Sequence, residues 1–288
     1  MKRRTFVINT TALIAGGYFL PPHPLNAFVD THREICEQTF SIAADKNLAR
    51  LPIGEVVSEI GKMFKGAPYE AHTLEEPEEE RLVINLKVFD CVTLVENSLA
   101  LARCIKKGTT AFDDYTRELQ MIRYRNGEID GYPSRLHYFS DWIYDNIQKG
   151  IVEDANQDIG GAEPFRKTIN FMSTNRDSYW QLANDEYYQA IQRQEEIINK
   201  REYTFIPKGN VHMYEENLKE GDILAFTTNI RGLDIQHTAL ATKRNGNIHV
   251  LHAPMAGRSV EVTDKNLMMY LTMNERMTGI MVARPKEV

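Results

Sequence analysis

Apolar residues recur at helical spacing from Arg33 to about Phe64, at Ile35, Phe40, Ile42, Leu51, Val56, Ile60 and Phe64, with a break at Pro52-Ile53-Gly54. Side chains three and four positions apart share one helix face, so the spacing predicts two helices on either side of that break. The same periodicity predicts helices from Cys91 to Lys107, Phe112 to Arg123 and Ser134 to Lys149, and a polar helix near residues 184–200 after an irregular Gly/Asn/Asp stretch near 153–162. After Tyr203 the texture changes to short β-type runs bounded by turn residues: Tyr203–Ile206, Asp222–Thr228, His237–Lys243, Ile248–Ala253, Ser259–Thr263 and Gly279–Ala283. Helices followed by a run of strands read as α+β. We therefore expect one domain over residues 28–288, largely helical from about 28 to 200 and an antiparallel sheet from about 203 to 288. The charged run from Leu74 to Arg81 has a proline and no apolar period, and reads as a solvated loop.

The N-terminus changes the picture of where this domain works. Met1-Lys2-Arg3-Arg4 is basic, Thr5 to Leu20 is mostly apolar, and Leu25-Asn26-Ala27 offers a small-residue cleavage site, so residues 1–27 are expected to be a signal peptide. The apolar stretch is short and carries Asn9, Thr10 and Thr11, which argues against stable membrane insertion. Arg3-Arg4-Thr5-Phe6 leaves Sec and twin-arginine export both open, and the expected location is secreted, in the periplasm. Cleavage after Ala27 leaves 31 basic against 40 acidic residues, a net charge of −9, which speaks against nucleic acid as a partner.

Three cysteines remain, Cys36, Cys91 and Cys104, too few for a disulfide scaffold and without metal-type spacing. An odd number leaves at least one thiol free, and a Cys36–Cys104 pair stays open. Cys91 stands apart because Asp90 is a good N-cap and Gly108 sits where a terminating glycine belongs, so the helix begins at Cys91 itself. A thiol in the first helical turn faces unpaired N–H groups and the positive end of the dipole, which favours the thiolate.

A thiol nucleophile needs a base, and the base needs a third group to orient it. Asn245-Gly246 between two β-type runs predicts a two-residue hairpin in which Arg244 faces Asn247. On that register Ala241 faces Val250, Ala239 faces His252, and His252 is the diagonal same-face neighbour of His237, while His249 pairs with Thr242 on the other face. Ala239, Ala241, Ile248 and Val250 make the face of the two histidines apolar, so it is expected to pack inward against the Cys91 helix. The candidate catalytic set is Cys91, His237 and His252. His249 and His252 point to opposite faces and no local set supplies three ligands, so a zinc site ranks low and no metal is expected.

At these residues the chain resembles the NlpC-type cell-wall cysteine peptidases, which are papain-like. Asp90-Cys91, Gly221-Asp222-Ile223-Leu224, His237 and Leu251-His252-Ala253 carry the likeness in order. Phe89-Asp90-Cys91-Val92-Thr93-Leu94-Val95-Glu96, the run from Tyr132 to Trp142 and Thr228-Asn229-Ile230-Arg231-Gly232 resemble the branch of N-acetylmuramoyl-L-alanine amidases, over roughly residues 35–285. The resemblance implies a papain-like fold, with a catalytic Cys opening a central helix packed on an antiparallel sheet. It also implies a periplasmic enzyme, free of cofactors, that hydrolyses the amide between the muramic acid lactyl group and L-alanine in muropeptides. Thr238-Ala239-Leu240 departs from the Val-Gly-Ile of many superfamily members. On the substrate side, a helix from Ser134 would turn Leu136, Phe139, Ile143 and Ile147 inward; the resemblance then places Ser134, Arg135 and Tyr138 in a cleft, with Arg135 pairing a stem-peptide carboxylate and Ser134 donating a hydrogen bond. The alternatives are a stem-peptide endopeptidase cutting after D-glutamate and a non-catalytic peptidoglycan-binding module.

Overall fold

The computed structural model describes residues 31–75, 79–255 and 259–288; the signal peptide expected over residues 1–27 lies outside them. The first helix, α1 (His32–Asp45), is set by a capping box in which Thr31 and Glu34 bond each other's backbone N–H groups. Leu48–Arg50 forms a short turn, and Pro52 then starts α2 (Ile53–Met63), as the break in the apolar pattern predicts. The next helix, α3 (Cys91–Lys107), is buried continuously from Thr93 to Ile105. Together with α1, α2 and α4 (Phe112–Arg123) it builds the main hydrophobic core against one face of the sheet.

The sheet is antiparallel. Its strands are β1 (Val152–Asp154), β2 (Glu163–Pro164), β3 (Thr204–Pro207), β4 (Ile223–Thr228), β5 (Ile235–Arg244), β6 (Asn247–His252), β7 (Glu261–Asn266) and β8 (Met277–Pro285). The spatial order is β2-β3-β8-β4-β5-β6-β7, with β1 also pairing β8. The hairpin register is the one the turn predicts: Arg244 pairs with Asn247, Thr242 with His249 and Ala241 with Val250. Asn245 and Gly246 both take positive φ, 53° and 82°, which is what a two-residue turn of this hand requires. The chain is thus α+β with an antiparallel sheet, the fold class read from the sequence.

Three expectations are corrected. Ile223, Ala225, Leu240, Leu251 and Met281 form the sheet face that meets α3, whereas Ala239, Ala241, Ile248 and Val250 pack in a second core with Leu267 and Leu271. The histidine-bearing face therefore looks away from the Cys91 helix, toward the helix Leu267–Met273. Apolarity could not discriminate because the central strands are covered on both sides, β4 being buried at every position. The helix expected from Ser134 begins only at Phe139 (α5, Phe139–Gln148). Tyr132–Ser134 is a short turn, and the next residues are held extended by a bridge of Arg135 to Tyr124 and by the Leu136 N–H donating to Arg123 O. Ser134, Arg135 and Tyr138 consequently share no helix face. Within the half read as sheet, Lys208–Tyr214 and Leu267–Met273 are helical, and β7 starts two residues beyond the expected Ser259. No described helix is long and apolar enough to cross a membrane.

Candidate active site

The thiol of Cys91 is fixed by the way α3 begins. Asp90 accepts the Thr93 N–H at 2.7 Å, and the Thr93 hydroxyl accepts the Asp90 N–H at 2.9 Å. The terminus is then tied to the sheet: the Thr238 hydroxyl on β5 donates to the Cys91 carbonyl at 2.8 Å. The thiol itself lies against the backbone N–H and hydroxyl of Thr238. Burial pushes it up to about 11, with the charge of Asp90 adding to the rise, while Thr238 and the Cys91 N–H pull the other way. The expectation of a thiolate favoured by the helix terminus is thereby reversed, because loss of water costs the anion more than the local N–H groups return.

His237 and His252 meet directly. Nε2 of His237 lies 2.7 Å from Nδ1 of His252, with the rings edge to face at 5.0 Å between centroids. The recorded pairs of β5 and β6 end at Leu240 and Leu251, and the two imidazoles meet just beyond that end. Phe226 stacks on His237 at 5.9 Å, and Tyr270 stands 5.3 Å from the His252 ring. Burial lowers His237 to about 3, with His252 adding to the drop, and burial alone lowers His252 to about 4. At neutral pH the pair is uncharged, and His237 keeps its Nδ1 edge for a partner other than His252.

Sequence reasoning passed over three neighbours. Thr238 was legible only as a departure from the resembled motif, yet its hydroxyl holds the helix terminus. Tyr69 and Tyr270 carried no sequence signal, and both sit close enough to Cys91 that a thiolate there opposes ionisation of their phenols.

Comparison with known proteins gives the family of the chain. Residues 59–280 match the AmiA-like family, described as N-acetylmuramoyl-L-alanine amidase-like. The chain belongs to that family. A crystal structure of an N-acetylmuramoyl-L-alanine amidase from Bacteroides uniformis ATCC 8492 is similar at a TM-score of 0.75 and 36% identity, covering 81% of this chain and 99% of that one. A Bacteroides fragilis protein whose name gives it provisionally as a xylanase matches at 0.73 and 38% identity, over 78% of this chain and 98% of that one. Protein LPG0564 from Legionella pneumophila str. Philadelphia 1 shares the fold, with a TM-score of 0.64 at 18% identity over 86% of this chain and 93% of that one. Comparison with curated proteins finds no match.

In this AmiA-like chain a cavity of about 230 Å³ opens beside the start of α3, between Asp90 and Val92 on one side and Tyr132, Arg135, Tyr138 and Met172 on the other. Larger hollows of about 420 to 530 Å³ lie elsewhere, and none is lined by a residue next to Cys91. Arg135 and Tyr138 are thus at the cavity wall, but both are engaged. The Arg135 guanidinium donates to Glu75 Oε1 at 2.8 Å and to the Leu74 carbonyl at 3.2 Å, with Glu80 at 3.4 Å. The Tyr138 hydroxyl donates to Glu195 at 2.6 Å and accepts the Met172 N–H at 2.8 Å. Ser134 does not line this cavity; its hydroxyl donates to the Gly131 carbonyl at 2.7 Å. Among the described residues no group of three His, Cys, Asp or Glu side chains is arranged to hold a metal ion.

Proposed function

We propose that this chain is a cysteine amidase that hydrolyses the N-acetylmuramoyl-L-alanine bond of peptidoglycan fragments, with Cys91 as nucleophile, His237 as base and His252 as the group that orients it. The observation that carries the reading is the 2.7 Å contact between His237 Nε2 and His252 Nδ1 in a chain whose thiol opens α3 and lies against the residue that follows His237. Membership of the AmiA-like family supplies the substrate class.

The reaction begins from a neutral pair. His237 Nδ1 takes the Cys91 proton as Sγ attacks the lactyl carbonyl carbon, which opens the C=O bond to an oxyanion. The Cys91 N–H, among the unpaired donors of the helix start, faces that oxygen. The imidazolium returns the proton to the nitrogen of L-alanine as the C–N bond breaks, leaving a thioester and a free peptide amine. Water, deprotonated by His237, cleaves the thioester to the lactyl carboxylate and restores the thiol. His252 holds the His237 ring in the tautomer that accepts at Nδ1. The superfamily reading, a papain-like arrangement of helix-tip Cys on a sheet, belongs to the same proposal, as does action in the periplasm after removal of residues 1–27.

A glycosidase reading gains little from the carboxylates that line the cavity beside α3. Asp90 caps α3, Glu96 is paired with Arg123 at 2.7 Å, and Glu75 is held by Arg135 and Gln181. Glycoside hydrolysis needs two carboxyl groups free to face one bond. The test is mass spectrometry of muropeptides digested with the wild-type protein and with Cys91→Ala. The amidase yields an intact stem peptide beginning with L-alanine, and Cys91→Ala yields none. Fragments cut after D-glutamate, or cleavage by Cys91→Ala, would overturn the assignment.

A further inference from the structure

The histidine pair poses a hydrogen-bond question that Cys91, His237 and His252 do not answer by themselves. For His237 to accept a proton at Nδ1, its Nε2 must carry the hydrogen and donate it to His252 Nδ1 across the 2.7 Å contact. His252 Nδ1 is then the acceptor, so the hydrogen of that ring sits on Nε2. The Tyr270 hydroxyl faces the same Nδ1 at 3.5 Å and can donate to it in this tautomer. His252 is 2% exposed, and its Nε2 has no hydrogen-bond partner. A buried N–H without an acceptor is costly, and the cost favours the reversed tautomer, in which His237 cannot act as a base.

One acceptor stands next to that nitrogen. Glu261 is the direct cross-strand partner of His252 in the β6–β7 register, and its Oε1 lies 3.6 Å from His252 Nε2. The Glu261 side chain is 47% exposed, so it has room to turn, and a shift of about 0.7 Å brings the pair to hydrogen-bond distance. Resting on the amidase reading above, we infer that Glu261 is a positioning residue: by accepting the His252 Nε2 hydrogen it fixes the tautomer of both imidazoles and extends the Cys91–His237–His252 series by a fourth member.

Two substitutions separate this role from a merely structural one. Glu261→Gln keeps an oxygen acceptor at the same place without the charge, and Glu261→Ala removes it. The readouts are the imidazole nitrogen chemical shifts of His237 and His252 by NMR in the resting protein, and kcat and KM on muropeptides. The wild type and Glu261→Gln are expected to hold His252 as the Nε2–H tautomer, with kcat within about threefold of each other. Glu261→Ala is expected to lose that preference and to lower kcat by about tenfold to a hundredfold at nearly constant KM, the range usual for a group that orients a functional histidine. A Glu261→Ala protein that keeps the Nε2–H tautomer and the wild-type kcat overturns the inference. Should the wild type turn over no muropeptide, the substrate assignment fails while the NMR arm still decides the role of Glu261.

Discussion

Iodoacetamide reacts with thiolate and not with thiol, so its rate against pH reads the state of Cys91 directly. With the thiol at about 11, about one molecule in ten thousand carries a thiolate at pH 7. The alkylation rate should then rise about a hundredfold between pH 7 and 9, and about tenfold more between pH 9 and 10. An unperturbed thiol near 8.5 would rise only about 25-fold over the first interval and about 1.3-fold over the second, and a preformed thiolate–imidazolium pair would give a flat profile. The other cysteines do not blur the assay: Cys36 and Cys104 are fully buried in the main core, and burial drives both thiols up, Cys104 to about 12. Peptide mapping of the alkylated protein, with Cys91→Ser as control and circular dichroism to verify folding up to pH 10, assigns the rate to one residue. A plateau reached below pH 8 would refute the claim that burial outweighs the helix terminus at this thiol.

Further outcomes follow from the same contacts. Arg123→Met leaves Glu96, 2% exposed, without its 2.7 Å partner, and should cost about 3–5 kcal/mol by urea unfolding, with Glu96→Gln added to it recovering much of the loss; a cost under about 1 kcal/mol would sink that reasoning. Thr238→Val deletes the hydroxyl that holds the Cys91 carbonyl and neighbours the thiol, so stability should drop by about 1 kcal/mol and alkylation at pH 9 should slow. His252 is neutral when folded down to about pH 4 but protonates near 6.5 when unfolded, so the unfolded state gains protons first as pH falls. Its stabilising contribution is complete above pH 6.5 and is lost toward pH 4, about 3 kcal/mol in all, and His252→Asn should flatten the fall of the urea midpoint across that window.

Much of this was written locally in the chain. Asp90 and Gly108 bound α3 at both ends, and Asn245-Gly246 alone fixed which residues of β5 and β6 oppose each other, hence the meeting of His237 with His252. What stayed illegible depends on more distant partners. The side of the sheet that meets α3 is invisible when alternate positions on both faces are apolar, as Leu240 and Ala241 are. The late start of α5 follows from a pairing of Arg135 with Tyr124 that no periodicity encodes. Glu261 reaches His252 through a β6–β7 register broken by a bulge between His249 and Leu251, which simple alternation does not anticipate.

The corrected face of the sheet also explains why the site sits where it does. Thr238 turns toward α3 and grips the Cys91 carbonyl, while His237, its neighbour, turns the other way toward Phe226 and the helix Leu267–Met273. The recorded β5–β6 pairing stops at Leu240 and Leu251, and past that point the thiol lies against Thr238 with Tyr270 close enough to feel its charge. β5 stays paired with β4 through Thr238 and His237, so the opening lies on the β6 side, where His252 meets His237. Desolvation at this meeting point is also why the thiol is held up and both imidazoles are held down. In the proposed mechanism a neutral pair follows from that burial, and the proton passes from Cys91 to His237 at the moment of attack.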